Sequence, residues 1–242
     1  MYTNTTLDYR SRHYLSLPFK YRGSQSLVLT VSTEAEAIEP LVPEPLKPFP
    51  EGVMSVVVGV QKLDVPLKMN YGEAVVSIPV KLEKEEGDYV PVLYLDNVTA
   101  ILGGREIYGY PKIDAEVKFE VEDNRAKGEV IREGTKIIEM ALQLGPAAAS
   151  APPLPVRSFF NVKYIPSMDR KGEADIWRLI RVQPEGQKIT RFHSAKGTLQ
   201  LRSIPSDPLG NFPVLKVLDA CFLEVDSTLG FGSVAHDYLK EK

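Results

Sequence analysis

The sequence holds a single cysteine, Cys221, so no disulfide can close within the chain. Its place in a mostly apolar run points to a buried, unreactive thiol. His13, His193 and His236 stand at no metal-ligand spacing and have no further cysteine to join them, so no zinc site and no metal cofactor is expected. Positive charge is not concentrated anywhere: 29 basic residues face 32 acidic ones and no basic block stands out, which excludes the clustered lysine and arginine that a nucleic-acid partner requires. No apolar run reaches the length of a membrane helix, and Met1-Tyr-Thr-Asn-Thr-Thr-Leu-Asp-Tyr-Arg10 lacks the hydrophobic segment of a secretory leader. The expectation is a cytoplasmic protein with neither membrane nor nucleic acid as partner. Gly103-Gly104 lacks the flanking pattern of a phosphate loop.

Long helical periodicity is also scarce, and what fills the chain is short strand-like segments between turns. Gln25–Val31, Val53–Gln61 and Ala74–Leu82 read as strands, the second apolar enough to be buried on both faces and the third marked by Pro79 as an edge or a bulge. Thr33-Glu-Ala-Glu36 has the form of a capping box opening a short helix that Pro43 and Pro45 end. Glu83–Asp88 reads as a charged hairpin tip. Ala115–Glu122, Ala126–Arg132 and Lys136–Leu144 predict three antiparallel strands joined at Asp123-Asn124 and Glu133-Gly134. The pattern resumes at Phe159–Ile165, Asp175–Val182, Lys188–Phe192, Gly197–Ser203 and Lys216–Asp226, and Gly230–Leu239 reads as a short closing helix. Residues 1–17 form an N-terminal arm, and the Pro/Ala-rich stretch 145–155 a loop within one domain spanning 1–242, because neither half looks self-sufficient. The fold class is mainly β with minor α: an antiparallel, closed or nearly closed β-barrel with a few short peripheral helices.

One stretch carries chemistry. Tyr94-Leu-Asp-Asn97 offers capping residues, a short apolar run follows to a break at Gly103-Gly104, and Arg105-Glu106 leads through Tyr108-Gly-Tyr-Pro111 to Lys112. Pro111 fixes its own φ and pushes Tyr110 to an extended conformation, so Lys112 enters the next strand on a stiff lead. Most lysines beside aromatic rings bury only the stem. One held among Tyr108, Tyr110, Pro111 and Ile113 loses hydration instead, which favours the neutral amine, a nucleophile toward carbonyl carbon.

This stretch, "YLDN…GGREIYGYPK", resembles the signature of the acetoacetate decarboxylase family, in which an Arg-Glu-x-x-x-aromatic-Pro-Lys run carries a Schiff-base lysine. Val42-Pro-Glu-Pro-Leu46, Tyr71-Gly-Glu73 with Ile78-Pro-Val80, Gly87-Asp-Tyr89, Asn161-Val-Lys-Tyr-Ile-Pro166 and Asp237-Tyr-Leu-Lys240 match in the same order, so the resemblance runs from about residue 18 to the end. It implies a barrel whose interior the lysine faces, a homo-oligomer, and a lyase for small keto acids that needs no cofactor. Lys112 becomes the imine-forming nucleophile, as the family's lysine does. Glu73 becomes the acid that hydrogen-bonds the substrate or moves a proton. Arg22 stands nearest to the family's substrate-orienting arginine, displaced by two residues and so by roughly 7 Å along a strand; only a bulge would restore its place. Tyr110 is expected in the substrate-binding wall rather than as an acid, and Arg105 and Glu106 as paired structural charges.

Two departures stand out. The best-known members carry a second lysine directly after the reactive one, where this chain has Ile113. A second glutamate of those enzymes falls in the Val56–Val60 run, where no acid exists. Decarboxylation of acetoacetate or a related β-keto acid is the first expectation. A pyruvate aldolase–dehydratase using the same lysine is the alternative, and a non-catalytic small-molecule-binding barrel the second.

Overall fold

The computed structural model describes residues 17–64, 69–150 and 157–240. In chain order the strands are β1 (Phe19–Ser32), β2 (Lys47–Pro48), β3 (Val53–Leu63), β4 (Met69–Leu82), β5 (Glu85–Leu95), β6 (Lys112–Asp114), β7 (Glu116–Glu122), β8 (Arg125–Arg132), β9 (Thr135–Ala147), β10 (Ser158–Pro166), β11 (Ala174–Val182), β12 (Pro184–Leu201), β13 (Lys216–Leu229) and β14 (Ser233–Asp237). Helix α1 (Ala35–Ile38) runs into a 3-10 turn, and α2 (Val98–Gly103) continues as a π-helical turn, Gly104–Tyr108. The arm predicted over residues 1–17 lies almost wholly outside the described residues, as does 151–155 of the predicted loop; the start of that loop, to Ala147, belongs to β9.

All strands join one sheet in the order β14-β11-β10-β5-β4-β3-β1-β13-β12-β9-β8-β7, with β2 added to β4 and β6 to β5. The mainly β expectation holds; among the described residues hydrogen bonds do not close the sheet, so of the expected closed or nearly closed barrel the full closure is not borne out. Among the described residues the end strands, β14 and β7, pair with no further strand. At β7 the alternation Glu-Val-Lys-Phe-Glu-Val-Glu points Val117, Phe119 and Val121 inward and charges outward, which discourages further strand addition. The β7–β8 and β8–β9 turns are tight because Asp123 and Glu133 adopt positive φ, 49° and 48°.

The sheet curls so that its β7–β9 end folds back over β3 and β4, enclosing the main core of Leu27, Leu29, Val56, Val58, Val76, Ile138 and Phe222 among others. The layers meet closely at Gly128, where an added Cβ would stand 2.7 Å from Val58 Cβ. A buried polar knot ties a loop to this core: Asp207 accepts from Tyr94 Oη at 2.8 Å and from Arg132 Nη1 at 2.7 Å. The other face of β4 and β5 buries a second, smaller cluster, Tyr71, Leu93, Leu95, Tyr108, Tyr110, Ile180 and Val182.

Several local expectations fail for identifiable reasons. The Thr33 capping box does not form: Thr33 N–H bonds Gly52 O at 2.7 Å, its hydroxyl has no hydrogen-bond partner, and Glu34 occupies the cap position with no side-chain bond. Lys188–Phe192 and Gly197–Ser203 fuse into the single long β12. The expected closing helix is strand β14, because the unpaired edge of β11 captures Ser233–Asp237. Pro79 sits beside a bulge, a register shift between Val76 and Ile78, in a strand that is central rather than at the edge.

Residues 112 and 113 point to opposite faces, since Ile113 packs on the main core while its neighbour turns to the smaller cluster. Ile113→Lys therefore should not place a cation beside Lys112. It should instead lower stability by about 1–3 kcal/mol, read by denaturant unfolding, through a charge set against an apolar wall. Burial, with the Asp219 charge second, pushes the Cys221 thiol up to about 11. Iodoacetamide at pH 8 should leave native Cys221 unmodified and alkylate it in urea. Because the unfolded thiol ionises first, the stability this group contributes is full below the ordinary thiol value and is lost as pH rises through about 11.

Candidate active site

Lys112 is carried by a short, heavily constrained segment. Asn97 Oδ1 accepts from Ala100 N–H at 3.0 Å and opens α2. The glycine pair that ends the apolar run does not end the helix; Gly103 and Gly104 keep right-handed helical geometry and the turn widens into the π-helix. Single π turns recur at functional sites because they displace one residue from the regular ladder. Gly109, at φ 74°, ends it, with Gly109 N–H on Arg105 O and Tyr110 N–H on Gly104 O. After Pro111 the chain closes a tight turn, Lys112 N–H to Tyr110 O at 2.7 Å, and pairs parallel to β5 with Lys112 opposite Leu93. The far edge of β5 is thus shared between β10 at Gly87–Tyr89 and β6 at Leu93–Leu95. Arg105 reaches back to bond the Lys112 carbonyl, Nη1 to O at 3.1 Å, so this motif arginine clamps the lysine's backbone. The Glu106 carbonyl is held by Lys163 Nζ.

Parallel pairing turns Lys112 toward the smaller cluster. Its side chain is 8% exposed, and Nζ stands 3.3 Å from Oε2 of Glu73, itself 13% exposed. The rings of Tyr71 and Tyr110 lie with their centroids 5.8 Å from Nζ on two sides. Gly104 leaves room for the lysine stem: an added Cβ would lie 2.4 Å from both Lys112 Cδ and Cε. A narrow cavity of about 40 Å³ opens beside Lys112, and Phe19, Tyr21, Met69, Tyr71, Tyr108 and Tyr110 supply most of its aromatic and apolar wall. That space suits a molecule of a few heavy atoms.

Three predicted residues meet here and one does not. Lys112 and Tyr110 line the cavity, and Glu73 touches Nζ from behind without lining it. Arg22 lies outside. The bulge exists, a register break between Tyr21 and Ser24, but it leaves Arg22 exposed with Nη1 on the carbonyls of Tyr21 and Ser227 at 2.7 and 3.2 Å. Tyr21 takes the inward place. Its hydroxyl lies 3.2 Å from that of Tyr71, a pair not singled out from the sequence. Tyr71 could have been found, since it precedes Glu73 by two positions and so shares its strand face. Tyr21 comes from a distant strand and leaves no local signal. Burial first, and the Glu73 charge second, hold the phenols of Tyr21 and Tyr71 well above the ordinary range. Burial does the same for Tyr110. All three remain protonated donors.

Among the described residues no group of three or more His, Cys, Asp or Glu is placed to hold a metal ion, and no helix is long and apolar enough to cross a membrane.

Residues 6–239 match the family model for acetoacetate decarboxylase. The chain is 29% identical over 231 residues to acetoacetate decarboxylase of Chromobacterium violaceum, covering 93% of this chain and 91% of that protein. Its fold superposes on the crystal structure of acetoacetate decarboxylase from Legionella pneumophila with a TM-score of 0.84 at 22% identity, over 97% and 94% of the two chains. It is also similar in fold to the enduracididine biosynthesis enzyme MppR, complexed with the condensation product of pyruvate and imidazole 4-carboxaldehyde, at a TM-score of 0.81, 15% identity and coverage of 93% and 92%. With the signature lysine buried against an acid in this fold, the chain belongs to the acetoacetate decarboxylase family, a class of lyases that act through a lysine Schiff base.

Proposed function

We propose that the protein decarboxylates acetoacetate or a related small β-keto acid through an imine on Lys112. The observation that carries this reading is the buried Lys112 Nζ, 3.3 Å from Glu73 and opening on a cavity sized for a few heavy atoms. Before attack the ammonium gives up a proton, and Glu73 Oε2 is the acceptor within reach. The amine adds to the ketone carbon, the carbinolamine loses water, and a protonated imine remains. The bond to the carboxylate then breaks; its electron pair flows to the imine nitrogen, carbon dioxide leaves, and an enamine forms. Protonation at carbon and hydrolysis return the ketone and the free amine. Glu73, behind the lysine rather than on the cavity wall, is suited to the proton steps at nitrogen more than to contact with the substrate body. Tyr110 serves as wall and, as a protonated phenol, as a donor.

The second reading keeps the imine but condenses pyruvate with an aldehyde. Its support is the absence of an acid in Val56–Val60, the outward turn of Arg22, and a fold neighbour bound to a condensation product of pyruvate. Carbon dioxide release from acetoacetate distinguishes the two on one preparation.

Borohydride with acetoacetate should fix one ligand per chain on the peptide containing Lys112, and Lys112→Ala should abolish the adduct. A label on another lysine, or none with acetoacetate or pyruvate, sinks the assignment. Glu73→Gln should keep the fold and lower turnover by about 10²–10⁴, the usual share of a proton-transferring side chain. Gly104→Ala is the sharper probe, because the atoms its Cβ would strike belong to the flexible lysine stem. It should unfold near the parent temperature yet slow imine trapping about 100-fold, the cost of misplacing a reacting atom by roughly 1 Å.

A further inference from the structure

The cavity wall poses an electrostatic problem for a keto acid. Among the described residues that line it, the one cation is Lys112, which the reaction consumes as an imine, and Arg22 faces away. The substrate's carboxylate needs a partner of another kind. Tyr21 of β1 and Tyr71 of β4 both line the cavity, with their hydroxyls 3.2 Å apart. Two hydroxyls carry two protons, and the bond between them uses one. The second proton has no acceptor among the described residues. It therefore belongs to a buried O–H at the cavity wall with its hydrogen bond unmade, a costly state unless a ligand completes it. Of the two rings only Tyr71 packs against Nζ, 5.8 Å from its centroid. Either hydroxyl can be the donor in that bond, so the free proton belongs to the pair, and Tyr71 is the member whose ring stands against the reacting amine.

We infer that the Tyr21–Tyr71 pair is the carboxylate-binding element of this site, a neutral donor standing where a fixed cation would otherwise orient a small keto acid. The inference rests on the imine reading of Lys112 and deepens it by naming what holds the acid end of the substrate. Neutrality suits the reaction. In decarboxylation the negative charge leaves the carboxylate and neutralises the iminium as carbon dioxide forms. A fixed cation on the carboxylate would favour the bound substrate over the transition state, whereas a phenol orients the group and gives up less as the charge departs. Burial keeps the donor protonated throughout. The same logic sets specificity: the preferred substrate pairs a ketone with a carboxylate close enough for both to be engaged within a short cavity.

Acetoacetate and acetone test this directly, since they share the ketone carbon and differ in the carboxylate. Reductive trapping on Lys112 is measured against ligand concentration for the parent, Tyr71→Phe and Tyr21→Phe, with thermal unfolding as the check on folding. Tyr71→Phe should raise the acetoacetate concentration for half-maximal trapping at least 10-fold and leave that for acetone within about 2-fold. Tyr21→Phe, which keeps the hydroxyl of Tyr71, the ring against the amine, should show a smaller change of the same selectivity. Equal losses for both ligands would mean that the phenols only shape the wall, and no loss for either would mean that they do not touch the substrate; each result overturns the inference. Failure of the imine reading has a different signature, the absence of any Lys112 adduct in the unmodified protein with either ligand.

Discussion

Strands β4 and β5 are covered on both faces, and the site depends on that constraint. A strand buried on one side can present only a core face and a wet face. Here the two faces meet two separate apolar clusters, so a side chain on the second face leaves water without entering the main core. Lys112 uses that second face. Its strand, β6, is three residues long and would not hold a register alone; parallel pairing to β5 and the Arg105 clamp on its carbonyl fix which way it points. Pro111 and the π turn deliver the chain to that edge at the required angle, and Gly104 leaves the volume that the lysine stem fills.

The electrostatics follow from the same burial. An ammonium and a carboxylate this far from solvent are tolerated because they face each other. Around them stand phenols rather than further ions. Each phenol keeps its proton, so the site holds one ion pair within a set of neutral donors. A charge that moves during a reaction is little opposed by such surroundings, and a charge that stays fixed is little rewarded. The second ion pair of the interior, Arg132 with Asp207, faces the main core and ties down a loop; it takes no part in the cavity.

The departures from the best-known members acquire a geometric meaning. A residue at 113 alternates to the other face, so Ile113 is a core contact rather than a lost cation beside the lysine. Arg22 alternates outward because Tyr21 turns inward, and the bulge after Tyr21 lets the guanidinium bond the carbonyls of β1 and β13. One choice of facing at the start of β1 exchanges a cation for a phenol.

The sequence alone determined the mainly β class, the β7–β8–β9 meander with both its turns, the Asn97 cap, and the contiguous motif that ends on Lys112. All of these are local: alternation, turn residues, a cap and a contiguous motif are written within a few residues. Tertiary structure decided what depends on partners distant in the chain. Whether the sheet closes is a property of its two end strands, which no local pattern states. Ser233–Asp237 became a strand because the edge of β11 was open, not because of its own propensity. Gly103-Gly104 ended an apolar run yet stayed helical, and Gly104 leaves the space that the stem of Lys112, distant by eight residues, fills. The facing of Tyr21 and Arg22 hung on a single register break against β13, and a period of two makes every such break reverse which side chain meets the site.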